Sequence, residues 1–110
     1  MLIALSAMAA DQAAQLSSQF GRCPYFVLFD TATGEWTAKP NPAAEAGGGA
    51  GTQAAQFVVQ QGVGAAISGQ FGPKAEQVLR TAGVELYAAA AGSVSEAVEA
   101  YQGSRLAKFS

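Results

Sequence analysis

Apolar residues occur along this chain in short runs set between glycine, proline and small polar residues, a spacing suited to buried strands alternating with helices. The first run, Met1-Leu2-Ile3-Ala4-Leu5-Ser6, predicts a strand covered on both faces. Asp11 to Gln19 is polar and alanine-rich and predicts a long loop or a loose helical turn. Pro24 holds Cys23 extended and leads into Tyr25-Phe26-Val27-Leu28-Phe29, a strongly β-prone run. The turn residues Asp30 to Gly34 join it to the alternating Glu35-Trp36-Thr37-Ala38-Lys39, completing a hairpin. Pro40-Asn41-Pro42 ends that hairpin and opens a long connection.

The second half alternates helix and strand. A helix is expected from about Thr52 to Gln61, burying Ala54, Phe57 and Val58 and stopped by Gly62. Val63 to Ser68 is apolar and flanked by glycine, which predicts a central strand. Pro73 suits the first position of a second helix, with Val78, Leu79 and Ala82 apolar and Gly83 as its stop. Val84-Glu85-Leu86-Tyr87 is expected as the last strand. Ser93-Val94-Ser95-Glu96 is a capping box, and Val94, Ala97, Val98 and Tyr101 then fall on one helical face. Ser104 to Ser110 is expected to be a tail on a single domain spanning residues 1–110.

Right-handed crossovers make the third, fourth and fifth strands parallel. The expected fold is α/β, a single domain with three helices on a five-stranded mixed sheet of order 3-2-1-4-5. The loops from Ser6 to Arg22, Pro40 to Thr52 and Gly69 to Pro73 then meet at one sheet edge. The first and fourth strands send the chain in opposite directions there, which predicts a crevice between them.

Composition narrows the chemistry. The 110 residues carry a net charge of −2 with only 13 % charged side chains, and the basic residues are scattered, which argues against nucleic acid as a partner. Histidine is absent, so zinc sites and triads built on imidazole are excluded. A single cysteine excludes an internal disulfide and fits a reducing compartment. No apolar run approaches the length of a membrane span. Ala7-Met8-Ala9 imitates a leader-cleavage site, but the first basic residue is Arg22, so the opening run is better read as a strand. These features give a cytoplasmic expectation.

Gly47-Gly48-Gly49-Ala50-Gly51-Thr52-Gln53 is the most informative stretch, a glycine loop running into a helix. Bare amides and the positive end of a helix dipole meet there, a combination that receives anions. Residues 49–54 match the relaxed dinucleotide pattern G-x-G-x-x-A, but Gly69 and Gln70 stand where an acidic residue belongs. No Gly-Lys-Ser/Thr follows the glycines, so a Walker loop fails as well. Asp11, Asp30, Glu35 and Glu45 are dispersed and offer no carboxylate cluster for metal-assisted hydrolysis. Gly69-Gln70-Phe71-Gly72-Pro73 is either ordinary helix-start grammar or a second set of amides open to a ligand, with Lys74 adjacent. Arg22 is a surface charge or the partner of an anion. Cys23 is a small buried residue or a soft-metal ligand.

Taken together, Phe20-Gly21-Arg22-Cys23-Pro24-Tyr25-Phe26, the stretch from Asn41-Pro42-Ala43-Ala44 through Gly49 to Ala55, and Gly69 to Pro73 resemble the dinitrogenase iron-molybdenum cofactor biosynthesis family over nearly the whole chain. The resemblance implies a ribonuclease-H-like fold. It further implies non-enzymatic carriage of an anionic molybdenum- or iron-containing sulfide cluster, as in nitrogenase cofactor carriers or the molybdenum–copper orange protein. Protein partners in cofactor assembly or regulation would follow, and a cofactor-free regulatory or interaction module is the alternative on the same scaffold. Many members carry histidine where Gln19 stands, so a cluster here would be held by hydrogen bonds and charge, without covalent anchoring, and the protein could be isolated without it. The candidate cluster-binding residues are Gln19, Phe20, Arg22, Gly47, Gly48, Gly49, Gly51, Thr52, Gln53, Gly69, Gln70 and Gly72, with Cys23 as candidate metal ligand.

Overall fold

Strands buried on both faces need helices on both sides, and the chain folds that way. The computed structural model describes residues 1–46, 48–89 and 92–109. Among these, β1 (Leu2–Ala7), β2 (Tyr25–Asp30), β3 (Trp36–Pro40), β4 (Val63–Ser68), β5 (Glu85–Ala88) and β6 (Ala107–Lys108) form one mixed sheet of order β3-β2-β1-β4-β5-β6. β1 pairs antiparallel with β2 and parallel with β4. β4 and β5 are parallel, while β3 and β6 lie antiparallel to their neighbours at the two edges. The helices are α1 (Ala50–Gln60), α2 (Pro73–Thr81) and α3 (Val94–Gln102).

Alternation along the strands divides the core into two layers. Ala4, Phe26, Leu28, Ala66 and Leu86 share one face with Ala54 and Val58 of α1 and Ala75 and Leu79 of α2. Ile3, Leu5, Val27, Phe29, Ala65 and Ile67 share the other with Val94, Ala97 and Val98 of α3. The crossovers β3-α1-β4 and β4-α2-β5 advance in the same direction across the sheet. Right-handedness therefore puts α1 and α2 side by side on one face, with their N-termini at the same edge.

The expected order 3-2-1-4-5 is found, extended by a sixth strand where a tail was expected. Ala107 pairs with Ala88, Lys108 with Tyr87, and the Phe109 ring lies against Phe71 at 5.1 Å. Two residues have no periodicity of their own, so only the docking of the chain end makes this strand. α1 begins at Ala50, earlier than expected, because Gly49 adopts a left-handed φ of 71° and turns the chain into the helix. Phe57, Val78 and Tyr101 are half-buried and Ala82 is exposed, so the packed stripe of α2 is Ala75 and Leu79. The capping box of α3 is formed in full, with Ser93 Oγ accepting from Glu96 N and Glu96 Oε1 accepting from Ser93 N.

Candidate functional site

The segment after β1 does not leave the sheet edge open. It lies across the ends of β1 and β4, donating from Ser17 N to Ser6 O at 2.8 Å and accepting at Ser17 O from Gly69 N at 3.2 Å. The buried hydroxyls of Ser6 and Ser68 sit 2.8 Å apart beneath it, with Ser6 Oγ 3.1 Å from the Ser17 carbonyl. Gly69 is required here by packing, since a Cβ on it would stand 2.6 Å from Ser18 Cα. The crevice expected between the first and fourth strands is therefore filled by chain.

The opening lies to one side, over the heads of the two adjacent helices. A cleft of about 650 Å³ is lined by residues 19–22, 49–52 and 70–75. Phe20 N donates to Gln70 O at 3.2 Å and joins the first segment to the third. Gly21 meets α1 so closely that a Cβ there would lie 3.0 Å from Gly51 Cα. The Phe20 ring, 5.1 Å from Phe71 and 5.0 Å from Phe26, forms the packed base of this wall.

Both helices present bare N-termini to the cleft. The N-caps are Gly49 and Gly72, and neither supplies a side-chain cap. The first intrahelical bonds are Gln53 N to Gly49 O at 3.0 Å and Glu76 N to Gly72 O at 2.9 Å. The N–H groups of Ala50, Gly51, Thr52, Lys74 and Ala75 come before those bonds, and among the described residues none accepts from them. Pro73 has no N–H to offer. Arg22 and Lys74 add two exposed cations to the lining, and no acidic side chain is among the described lining residues. Glu76, one residue beyond, is paired to Arg80 Nε at 2.8 Å. Two helix dipoles and two cations thus give a chain of net charge −2 a locally positive cleft. Arg22 Nη1 also donates to Ala46 O at 2.8 Å, which leaves the rest of the guanidinium fork for another acceptor.

Of the residues singled out in the sequence, Gln19, Phe20, Arg22, Gly49, Gly51, Thr52, Gln70 and Gly72 line this cleft. Gly48 and Gln53 are exposed outside its lining, Gly69 is packed against Ser18, and Gly47 lies outside the described residues. Cys23, considered as a metal ligand, is 1 % exposed and faces the core. Its Sγ–H donates to Phe20 O at 3.3 Å, and burial pushes the thiol up to about 12, so the sulfur stays protonated and uncharged. As placed here it is a packing residue behind the wall. Gly21, Ala50, Phe71, Pro73, Lys74 and Ala75 complete the lining; the first five stood in or beside the stretches singled out in the sequence, though not among the candidate site residues, and Ala75 went unread. Ala75 carries no chemistry in its side chain, and only its place in a first helical turn could have marked it.

The family profile described as dinitrogenase iron-molybdenum cofactor matches residues 1–104. The chain belongs to the dinitrogenase iron-molybdenum cofactor family. Within reach of this family, an uncharacterised protein of Methanocaldococcus jannaschii is 34 % identical over 98 residues, covering 86 % of this chain and 83 % of its own length. The apo form of the orange protein from Desulfovibrio gigas superposes with a TM-score of 0.95 at 29 % identity, over 99 % of this chain and 92 % of that one. A Thermotoga protein described as NifB-like is 32 % identical with a TM-score of 0.86, over 97 % and 91 % of the two chains. Among the described residues no helix is long and apolar enough to cross a membrane, and no three His, Cys, Asp or Glu side chains converge as a metal site.

Proposed function

We propose that the cleft at the heads of α1 and α2 takes up an anionic molybdenum- or iron-containing sulfide cluster as cargo, and that the protein carries or stores it without catalysing a reaction on it. The observation that supports this reading most is the set of five backbone N–H groups without described acceptors, joined by Arg22 and Lys74 in a lining with no described acid. Such donors suit the sulfido or oxo atoms at the surface of a pre-formed anion, because each hydrogen bond to a charged acceptor is worth about 1.5–3 kcal/mol. They do not suit a bare metal ion, which needs lone pairs from the protein. Membership of a cofactor family and the likeness to the orange protein support the same cargo.

The test is incubation of the protein with tetrathiomolybdate, with and without copper, followed by desalting. Charge-transfer bands that travel with the protein at a fixed metal-to-protein ratio are expected. Free thiomolybdate recovered in the salt fraction, with a colourless protein peak, would overturn the proposal.

A further inference from the structure

Behind one wall of the cleft lies a buried amide with no direct access to it. Asn41 directly follows β3 and is 5 % exposed. Its Nδ2 donates to Cys23 O at 2.9 Å and Gly21 O at 3.1 Å, and lies 3.7 Å from Cys23 Sγ. Its Oδ1 accepts from Ala43 N at 2.9 Å, and its backbone N–H donates to Pro24 O at 3.0 Å. One side chain therefore grips the carbonyls on either side of Arg22. The Arg22 guanidinium reaches back to Ala46 O on the same connection. Gly21, held from behind by Asn41, is the residue that meets Gly51 in the first turn of α1.

We infer that Asn41 is a positioning residue for the cleft, clamping Gly21 and Cys23 so that Arg22 and the 20–22 wall stand at a fixed distance from the amides of α1. The inference rests on reading the cleft as an anion site, since it assigns Asn41 a share in the affinity of that site. A buried side-chain amide whose donors both end on main-chain carbonyls has few alternative arrangements, so the wall has one position instead of several. Gly21 transmits that position because no side chain separates it from the helix. Arg22 shares it because its neighbours on both sides are fixed.

Asn41→Ser tests the clamp. The shorter hydroxyl still reaches Ala43 N but not the carbonyls of Gly21 and Cys23. Val58→Ala is the control, a buried α1 residue outside the lining whose truncation lowers stability while leaving every group of the wall and its Asn41 clamp in place. Well below both melting transitions, Asn41→Ser is expected to weaken tetrathiomolybdate binding at least tenfold, while Val58→Ala binds like the wild type. Amide hydrogen exchange is expected to rise selectively in the Asn41 variant at positions 20, 41 and 46, whose N–H groups are bonded to Gln70 O, Pro24 O and Ala43 O in the wild type. Affinity within twofold of the wild type, or a loss shared equally by Val58→Ala, overturns the inference. If the wild type itself takes up no thiomolybdate, the anion reading fails. The exchange pattern then decides the clamp alone, and a uniform or absent change refutes it. Should Asn41→Ser not fold, Gly21→Ala displaces the same wall from the α1 side, and unchanged affinity in that variant is the contrary result.

Discussion

Replacing Gly72 with serine separates what the fold needs at the head of α2 from what the cleft needs. Gly72 has φ −70° and ψ 160°, an ordinary extended conformation open to any residue, and an added Cβ would meet no atom within 4 Å. Neither strain nor crowding calls for glycine there. Serine at an N-cap gains a few tenths of a kcal/mol over glycine by accepting a first-turn N–H, and removing a glycine from the unfolded chain gains about 0.4–1 kcal/mol more. The sum is about 1 kcal/mol, a rise of roughly 4 °C in melting temperature for a domain of this size. The same hydroxyl occupies the N–H of Lys74 or Ala75 and stands in the mouth of the cleft. Losing one hydrogen bond to a charged acceptor costs about 1.5–3 kcal/mol, so thiomolybdate binding should weaken by roughly 10- to 100-fold. Gly72→Asp sharpens the contrast, because a carboxylate stabilises the helix N-terminus by about 0.3–1 kcal/mol more and repels an anion. Circular dichroism melts and spectrophotometric titrations measure the two effects on one sample. A variant that melts lower than the wild type shows that the fold does need this glycine. One that melts higher and binds unchanged shows that the head of α2 takes no part in binding.

Three further outcomes follow from the geometry. The Cys23 thiol is raised by burial from its ordinary 9.0 to about 12, so its contribution to stability is complete below pH 9 and is lost as pH climbs through 12. That amounts to roughly 3–4 kcal/mol, and urea unfolding between about pH 8 and 11 should fall more steeply for the wild type than for Cys23→Ala. Identical slopes would contradict the buried thiol. Glu96 is held below the usual carboxylate range by the Ser93 backbone N–H and hydroxyl, so its part in the α3 cap is present above pH 4.5 and fades as pH falls through its lowered value. The stability gap between wild type and Glu96→Ala, measured by thermal melts, should therefore narrow on acidification, and a gap independent of pH would exclude this role. Gly69→Ala forces a methyl against the Ser18 backbone and should destabilise by about 1–3 kcal/mol in urea, and no change would mean the segment over β1 and β4 is loosely laid.

The parts of the fold that a local pattern could carry were legible. Val63 to Ser68 reads as one apolar run between glycines and forms β4 over those residues, and Ser93 with Glu96 announced the start of α3. β6 could not be read, because Ala107 and Lys108 become a strand only when Phe109 docks on Phe71 and its N–H bonds to Leu86 O. The convergence of three loops at one edge followed from topology. Which gap stayed open did not, since the filling of the β1–β4 crevice depends on Ser17 bridging Ser6 and Gly69. Glycines were equally ambiguous. Gly21 and Gly69 make room for backbone, whereas Gly72 has empty space before it, and nothing in the letters distinguishes the two uses. Asn41 looked like turn punctuation after the hairpin, because the carbonyls it grips lie some twenty residues away in the chain.

The central claim is that the bare helix heads receive the anion, and amide mapping tests it most directly. In a nitrogen–proton correlation spectrum titrated with tetrathiomolybdate, the largest shifts are expected at Ala50, Gly51, Thr52, Lys74, Ala75 and Arg22, with α3 unmoved. Saturable binding whose shifts centre on α3 or on β6, with the 50–52 and 74–75 amides unchanged, would contradict it.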